Sequence, residues 1–338
     1  MKKISRYNRY IIVDNEAFVY NLLSRSLICI GDESVCHQLK DGVLTAFDEK
    51  TIKLLYDNKI LCDESIDESL NIVRIQRFIK YGNKNARITL LPTLNCNFKC
   101  WYCYEDHVAR TMSENESDAV YKFCQNIVST NRLNSLTLDW FGGEPMLQFN
   151  RIIVPLSKKV KQLCIENQIA YYNMITTNGV LITKEFLDEI REIELGKFQI
   201  TLDGGKEYHN KTRYSKKHPN SYQSIIDTIN MLVSEIPDID LTLRINCTSE
   251  NIDSITTIIE SFPNECRNKI QISIQPIWQE VDKLKDYSFK VTQITKSFHD
   301  AGFEVPSFTS IPQTKEVFVL RGTSNMKTEL YARSYYGD

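Results

Sequence analysis

The sequence predicts an α/β protein, a partial (β/α)6 TIM-like barrel preceded by a small N-terminal α/β module. Three observations carry that expectation. From about residue 86 onward, apolar β-type runs alternate with amphipathic helical stretches. The runs are nearly continuous in apolar residues, as expected of parallel strands that crossover helices cover on both faces. Six such units occupy roughly 190 residues, fewer than the about 250 that a closed eight-unit barrel takes, so the barrel is expected to be open.

Taken in order, residues 1–82 differ from the remainder of the chain. The stretches YIIVDNEAFVYNLL and RSLICIG alternate like a hairpin; helical patterns come next, near 34–46 and 49–58, and ILCDES reads as a further strand. This is a winged-helix-like module, either a packing cap for the open barrel or a peptide-recognition module, with the cap preferred. The barrel is expected over 83–300. Its strands are RITLLPT (87–93), SLTLDWF (135–141), AYYNMITT (170–177), KFQITLD (197–203), IDLTLRIN (239–246) and IQISIQPI (270–277). Helical patterns lie between them near 114–130, 149–167, 184–193, 221–235, 251–261 and 283–300. Thr183 stands where it would cap the third of these, and Asn220 or Ser221 the fourth. Residues 301–338 read as the remnant or the start of a C-terminal extension. In such a fold the chemistry gathers at the carboxyl ends of the strands.

Composition removes several function classes. With 42% hydrophobic and 25% charged residues the chain is neither disordered nor fibrous. A net charge of −2 gives no basic footprint for nucleic acid. No run of about 18 apolar residues suggests a membrane span. The opening MKKISRYNRYIIVDNEAFVY is broken by Asp14, Asn15 and Glu16 before it reaches the length of a signal-peptide core. A cytoplasmic protein is expected, in which clustered cysteines mean metal or redox chemistry more often than disulfides.

Of ten cysteines, only Cys96, Cys100 and Cys103 are tightly spaced, in CNFKCWYCYED. Cys124 and Cys164 sit in helical periodicity and read as small core hydrophobes. A closed zinc site needs four ligands, and Cys124 or His107 could complete one. Alternatively, an iron-sulfur cubane held by three protein thiolates leaves one iron open to a non-protein ligand. The trio comes directly after the first barrel strand, at the mouth where chemistry belongs. Further motifs fall at the same end: FGGEP (141–145), TTNG (176–179), QITLDGGKEYHNKTR (199–213) and LRINCTSEN (243–251). Taken singly the first three are turn signals, although two glycines admit close backbone approach and Glu144 offers an acceptor for an ammonium group.

Taken together and in this order, the motifs resemble those of the radical S-adenosylmethionine (radical SAM) superfamily, in its peptide-modifying and anaerobic sulfatase-maturating subgroup, over about residues 86–280. The resemblance implies one [4Fe-4S] cluster on Cys96, Cys100 and Cys103, with S-adenosyl-L-methionine on the open iron. It implies Tyr102 against the adenine, Gly142, Gly143 and Glu144 at the methionine amino group, Thr201 as a cofactor contact and Arg213 facing the cofactor carboxylate. An arginine fork suits a carboxylate. Asp203 and His209 match as well, His209 in a structural role. The implied activity is cleavage of the cofactor to a 5′-deoxyadenosyl radical that takes hydrogen from a peptide or protein, as in a peptide maturase. The alternatives are a sulfatase-maturating enzyme that forms formylglycine and a non-catalytic peptide-binding partner. A flavodoxin- or ferredoxin-type electron donor is implied, with no nucleic acid or membrane partner. Such relatives generally continue into a cysteine-rich SPASM domain; here no cysteine comes after Cys266, and Ser324 stands near where the first would fall.

Overall fold

In the computed structural model, residues 2–14, 16–81, 84–130, 133–283, 287–305, 317–322 and 328–333 are described. They fall into two units, residues 1–82 with 307–338, and residues 83–306.

The first unit opens with β1 (Lys2–Ile4), β2 (Asn8–Val13), β3 (Glu16–Asn21) and β4 (Leu27–Gly31). Helices α1 (Glu33–Lys40) and α2 (Glu49–Asp57), strand β5 (Leu61–Asp63) and helix α3 (Glu68–Tyr81) come next. The expected hairpin is β2–β3, continued antiparallel by β4. Alternation in β3 turns Ala17 and Val19 inward to meet Ile28, Ile30, Leu39 and Leu55. Each of the first two helices starts on an aspartate: Asp32 accepts from Val35 N at 3.1 Å and Asp48 from Thr51 N at 2.7 Å.

The second unit carries the parallel sheet. Its strands are β6 (Asn85–Leu90), the two-residue β7 (Lys99–Cys100), β8 (Ser135–Trp140), β9 (Ala170–Thr177), β10 (Leu195–Leu202), the two-residue β11 (Arg213–Tyr214), β12 (Asp240–Cys247) and β13 (Ile270–Pro276). Helices α4 (Glu114–Thr130), α5 (Val154–Glu166), α6 (Leu187–Glu192), α7 (Lys206–Thr212), α8 (Ser221–Glu235), α9 (Asn264–Arg267) and α10 (Tyr287–Asp300) connect them. The six long strands lie in the order β13-β12-β10-β9-β8-β6, and every neighbouring pair is parallel. Each crossover therefore advances the chain one strand in the same direction, as in a barrel wall, while β6 and β13 remain the two edges. This is the open α/β barrel. Trp140, Phe198, Leu243 and Ile200 are fully buried in its core.

Some boundaries differ from expectation for local reasons. Residues 252–261 wind as a 3₁₀ helix rather than an α-helix; the run ITTII is rich in β-branched residues that crowd the preceding turn. Thr183 and Asn220 occupy helix-start positions, yet neither side chain makes a capping bond. At α4 the cap is instead reciprocal: Glu116 N donates to Ser113 Oγ (3.2 Å) and Ser113 N to Glu116 Oε2 (2.8 Å).

Beyond the barrel, β14 (Val317–Gly322) and β15 (Thr328–Arg333) form an antiparallel hairpin, and β14 pairs parallel with β4. The described part of the tail after 306 thus extends the sheet of the first unit, in the order β15-β14-β4-β3-β2. Ser324 lies outside the described residues.

Candidate functional site

The three clustered cysteines sit on the loop leaving β6, and the ends of the neighbouring strands fasten that loop in place. Phe98, inside CNFKC, is fully buried and anchors it. Cys100 and Lys99 form β7, which pairs antiparallel with β11, so that Arg213 stands opposite Cys100. Cys103 N then closes a turn on Cys100 O at 3.1 Å. Cys96 and Cys100 are partly buried and Cys103 is exposed. Burial pushes the Cys96 thiol up to about 12 and the Cys100 thiol upward as well, the latter against the pull of the Arg213 guanidinium. Cys124 is fully buried in α4 and belongs to the core.

The FGGEP turn leaves β8 and lies directly against the cysteine loop. Gly143 N donates to Thr93 O (3.1 Å) and Glu144 N to Asn95 O (2.9 Å). The glycines are required by this chain contact. A Cβ on Gly143 would lie 2.3 Å from Asn95 O and 2.6 Å from Leu94 O, and Gly142 holds φ at +105°. Glu144 is fully buried, and its carboxylate accepts from Thr177 Oγ1 (2.6 Å), Asn178 N (2.8 Å) and Met146 N (3.0 Å). Burial raises its pKa against those three bonds. Glu144 thus joins the ends of β8 and β9, and Asn178 of TTNG continues the chain of contacts by donating from Nδ2 to Asn97 Oδ1 at 2.7 Å.

On the other side, Tyr102 reaches into the barrel. Its hydroxyl lies 2.6 Å from Asp203 Oδ2, accepts from Arg213 Nη1 at 2.8 Å and from Asn246 Nδ2 at 3.0 Å. Asp203 is fully buried at the end of β10, with Arg213 Nη1 3.7 Å from its Oδ1. Burial pushes the Asp203 carboxyl up, opposed first by the Arg213 charge and then by the Tyr102 and Asn246 hydrogen bonds. Arg213 lies with its guanidinium 5.6 Å from the Phe98 ring centre. Thr201 is buried on β10, in register with Arg244 of β12. From beyond β13, Gln279 Nε2 donates to Tyr102 O at 2.7 Å. His209 accepts from Asp203 N through Nδ1 at 3.1 Å, and burial holds it well below the usual histidine range.

The sequence-selected residues therefore gather at one end of the sheet: the cysteines, Tyr102, Gly142 to Glu144, Thr201 and Arg213. Asn246 and Gln279 join them unforeseen; the only sequence signal for Asn246 was its place in LRINC, a polar residue ending an apolar strand. Among the described residues, three buried polar atoms on or against the cysteine loop have no hydrogen-bond partner: Asn97 Nδ2, Glu105 Oε2 and Arg213 Nε. Among the described residues no three His, Cys, Asp or Glu converge on a point for a single metal ion. Nor is any helix there long and apolar enough to cross a membrane.

The radical SAM superfamily model matches residues 90–262. A serine-type anaerobic sulfatase-maturating enzyme of Bacteroides thetaiotaomicron is 28% identical over 148 residues, 40% of this chain and 34% of that protein. A radical SAM cyclopropyl synthase of Paramaledivibacter caminithermalis is 23% identical over 174 residues, 47% of this chain and 35% of that one. The chain thus spans about a third of the length of these curated relatives. Native anSMEcpe, solved with bound AdoMet and the Cp18Cys peptide, superposes with a TM-score of 0.53 at 18% identity, over 65% of this chain and 63% of that one. This last likeness is one of fold.

Proposed function

The chain belongs to the radical SAM superfamily, and from that premise we propose that it modifies a peptide or protein substrate by hydrogen abstraction. The superfamily uses a [4Fe-4S] cluster and S-adenosylmethionine, and the residues present suit both. A cubane takes one thiolate per iron, so its ligands need not converge on a point, and three thiols leave one iron for a non-protein ligand. Cys96, Cys100 and Cys103 would hold it. Arg213 Nε and Asn97 Nδ2, without a partner among the described residues, would be free to donate to a ligand held there.

Bound there, cluster and S-adenosylmethionine together supply one-electron cleavage of the cofactor and a radical able to take hydrogen from an unactivated C–H bond. The protein's part is placement. Arg213 brings positive charge beside the Cys96 and Cys100 thiols and the Asp203 carboxyl, which opposes the upward push of burial on all three. The Gly142–Glu144 turn and Thr201 are the proposed contacts for the methionine end, and Tyr102 for the adenine. The loop is held by the ends of β8, β9, β10 and β12, so its thiols are fixed before any ligand arrives. A flavodoxin- or ferredoxin-type protein is the proposed electron donor.

The observation that carries this reading is the three-thiol loop locked into the carboxyl end of an open parallel barrel. A peptide or protein substrate is supported by the relative that matures sulfatases. The test is isotopic. With a deuterated peptide substrate, deuterium should appear in 5′-deoxyadenosine in step with loss of peptide mass; 5′-deoxyadenosine free of peptide-derived label across candidate peptides would refute the assignment. The sulfatase-maturating reading is favoured by the 28% identity to the Bacteroides enzyme, and a co-expressed sulfatase that gains no activity would count against it.

A further inference from the structure

We infer that His107 is a positioning residue for the cluster: its Nε2–H donates to the sulfur of Cys103 and raises the potential at which the cluster accepts an electron. The inference rests on the cluster assignment and not on the identity of the substrate.

The two side chains meet at 3.3 Å between Cys103 Sγ and His107 Nε2, within range of a hydrogen bond to sulfur. The contact is built into the loop. After Cys103 the chain turns through YEDH and returns beside the segment that precedes Cys96. Leu94 N donates to Arg110 O (2.9 Å), Met112 N to Pro92 O (2.9 Å), and Thr93 Oγ1 to Arg110 O (3.0 Å). Thr93 and Thr111 form a bridge at the same place. His107 is thereby held on a strap tied at its far end to the base of the cysteine loop.

The direction of the hydrogen bond is set by the chemistry of the sulfur. A free thiol can donate to the imidazole or accept from it. Once ligated to iron, Cys103 has no proton, so its sulfur can only accept, and Nε2 must carry the hydrogen. Cys96 already has a main-chain partner, since Phe98 N lies 3.4 Å from its sulfur. Cys103 is the exposed member of the trio, and its donor comes from a side chain that substitution can remove. Hydrogen bonds to the sulfurs of a cluster stabilise its more negative, reduced state and raise its potential.

The experiment is an EPR-monitored redox titration of the anaerobically loaded protein with dithionite and mediators, without S-adenosylmethionine. It compares the parent with His107→Phe and His107→Gln at equal iron content. His107→Phe should make one-electron reduction about tenfold less favourable, which is about 59 mV more negative, and His107→Gln, which keeps an N–H donor, should recover part of the shift. Pulsed EPR of protein labelled with 15N-histidine should show a weak nitrogen coupling that His107→Phe removes. Equal potentials in all three proteins, or a strong coupling typical of a histidine bound to iron, would overturn this inference alone. A parent protein with no reducible cluster would overturn the cluster assignment, and this inference with it.

Discussion

Replacing Tyr102 with Phe should destabilise the unloaded protein far more than the loss of one surface hydroxyl would. The phenol oxygen lies 2.6 Å from Asp203 Oδ2, 2.8 Å from Arg213 Nη1 and 3.0 Å from Asn246 Nδ2. Two of these partners are charged groups, and a hydrogen bond to a charged group contributes about 1.5–3 kcal/mol. Without the hydroxyl, Asp203 keeps Asn246 at 3.2 Å and the long 3.7 Å approach of Arg213 Nη1, while Arg213, whose Nε has no partner among the described residues, loses its hydrogen bond to the phenol oxygen. Closer approach of Asp203 and Arg213 would recover part of the loss, because a buried pair attracts more strongly as it shortens. We predict a net destabilisation of about 2–4 kcal/mol. The assay is urea unfolding of the apoprotein under anaerobic, reducing conditions, with the m-value checked for constancy. A Phe variant within about 0.5 kcal/mol of the parent, the range of ordinary surface substitutions, would refute the reasoning: the four-residue network would then not hold the cysteine loop to the barrel.

Gly143→Ala should push the FGGEP turn off the cysteine loop, because its new Cβ would meet main-chain oxygens of Asn95 and Leu94 that cannot swing aside. Overpacking of this kind costs about 1–3 kcal/mol, and iron incorporation on reconstitution should fall; normal loading would contradict the contact. His209 is held neutral in the folded state by burial. Its folded pKa is depressed, so its contribution to stability is intact above the unfolded value of 6.5 and declines as pH falls below it, by about 1.4 kcal/mol per pH unit. Urea midpoints of the parent and His209→Asn between pH 7 and pH 5 should differ in slope by about that amount, and parallel curves would contradict it. Glu144→Gln keeps the shape of the side chain but replaces one acceptor oxygen with a donor facing Thr177 or Asn178. It should cost about 1–3 kcal/mol of stability by leaving a buried polar group unpaired, read in the same urea assay.

The strands of the barrel were legible because each is a short apolar run between turn residues. Residues 170–177 match their strand to the residue, and 114–130 and 221–235 their helices. Legibility ended where tertiary contacts decide. The pairing of Lys99–Cys100 with Arg213–Tyr214 joins segments more than a hundred positions apart and has no local signature. The helix Glu68–Tyr81 escaped notice; in its first half Leu70 and Val73 are both exposed, so no buried apolar stripe announces it there. Glycines 142 and 143 were read as admitting close backbone approach, and the structure adds an approach the sequence did not announce, that of the cysteine loop. The candidate site residues were readable through the resemblance of their motifs to those of a family. Their partners Asn246 and Gln279 were not, since a hydrogen bond between the ends of distant strands leaves no period or composition to read.

The central claim is that Cys96, Cys100 and Cys103 form an open cluster site that turns over S-adenosylmethionine. Its most direct test is iron and sulfide quantification, with a 5′-deoxyadenosine assay under reductant, on anaerobically prepared parent protein and Cys100→Ala. The account predicts about four irons and four sulfides per chain, with 5′-deoxyadenosine formed by the parent and lost in the variant. Stoichiometric zinc without sulfide, or cofactor cleavage that survives Cys100→Ala, would contradict it.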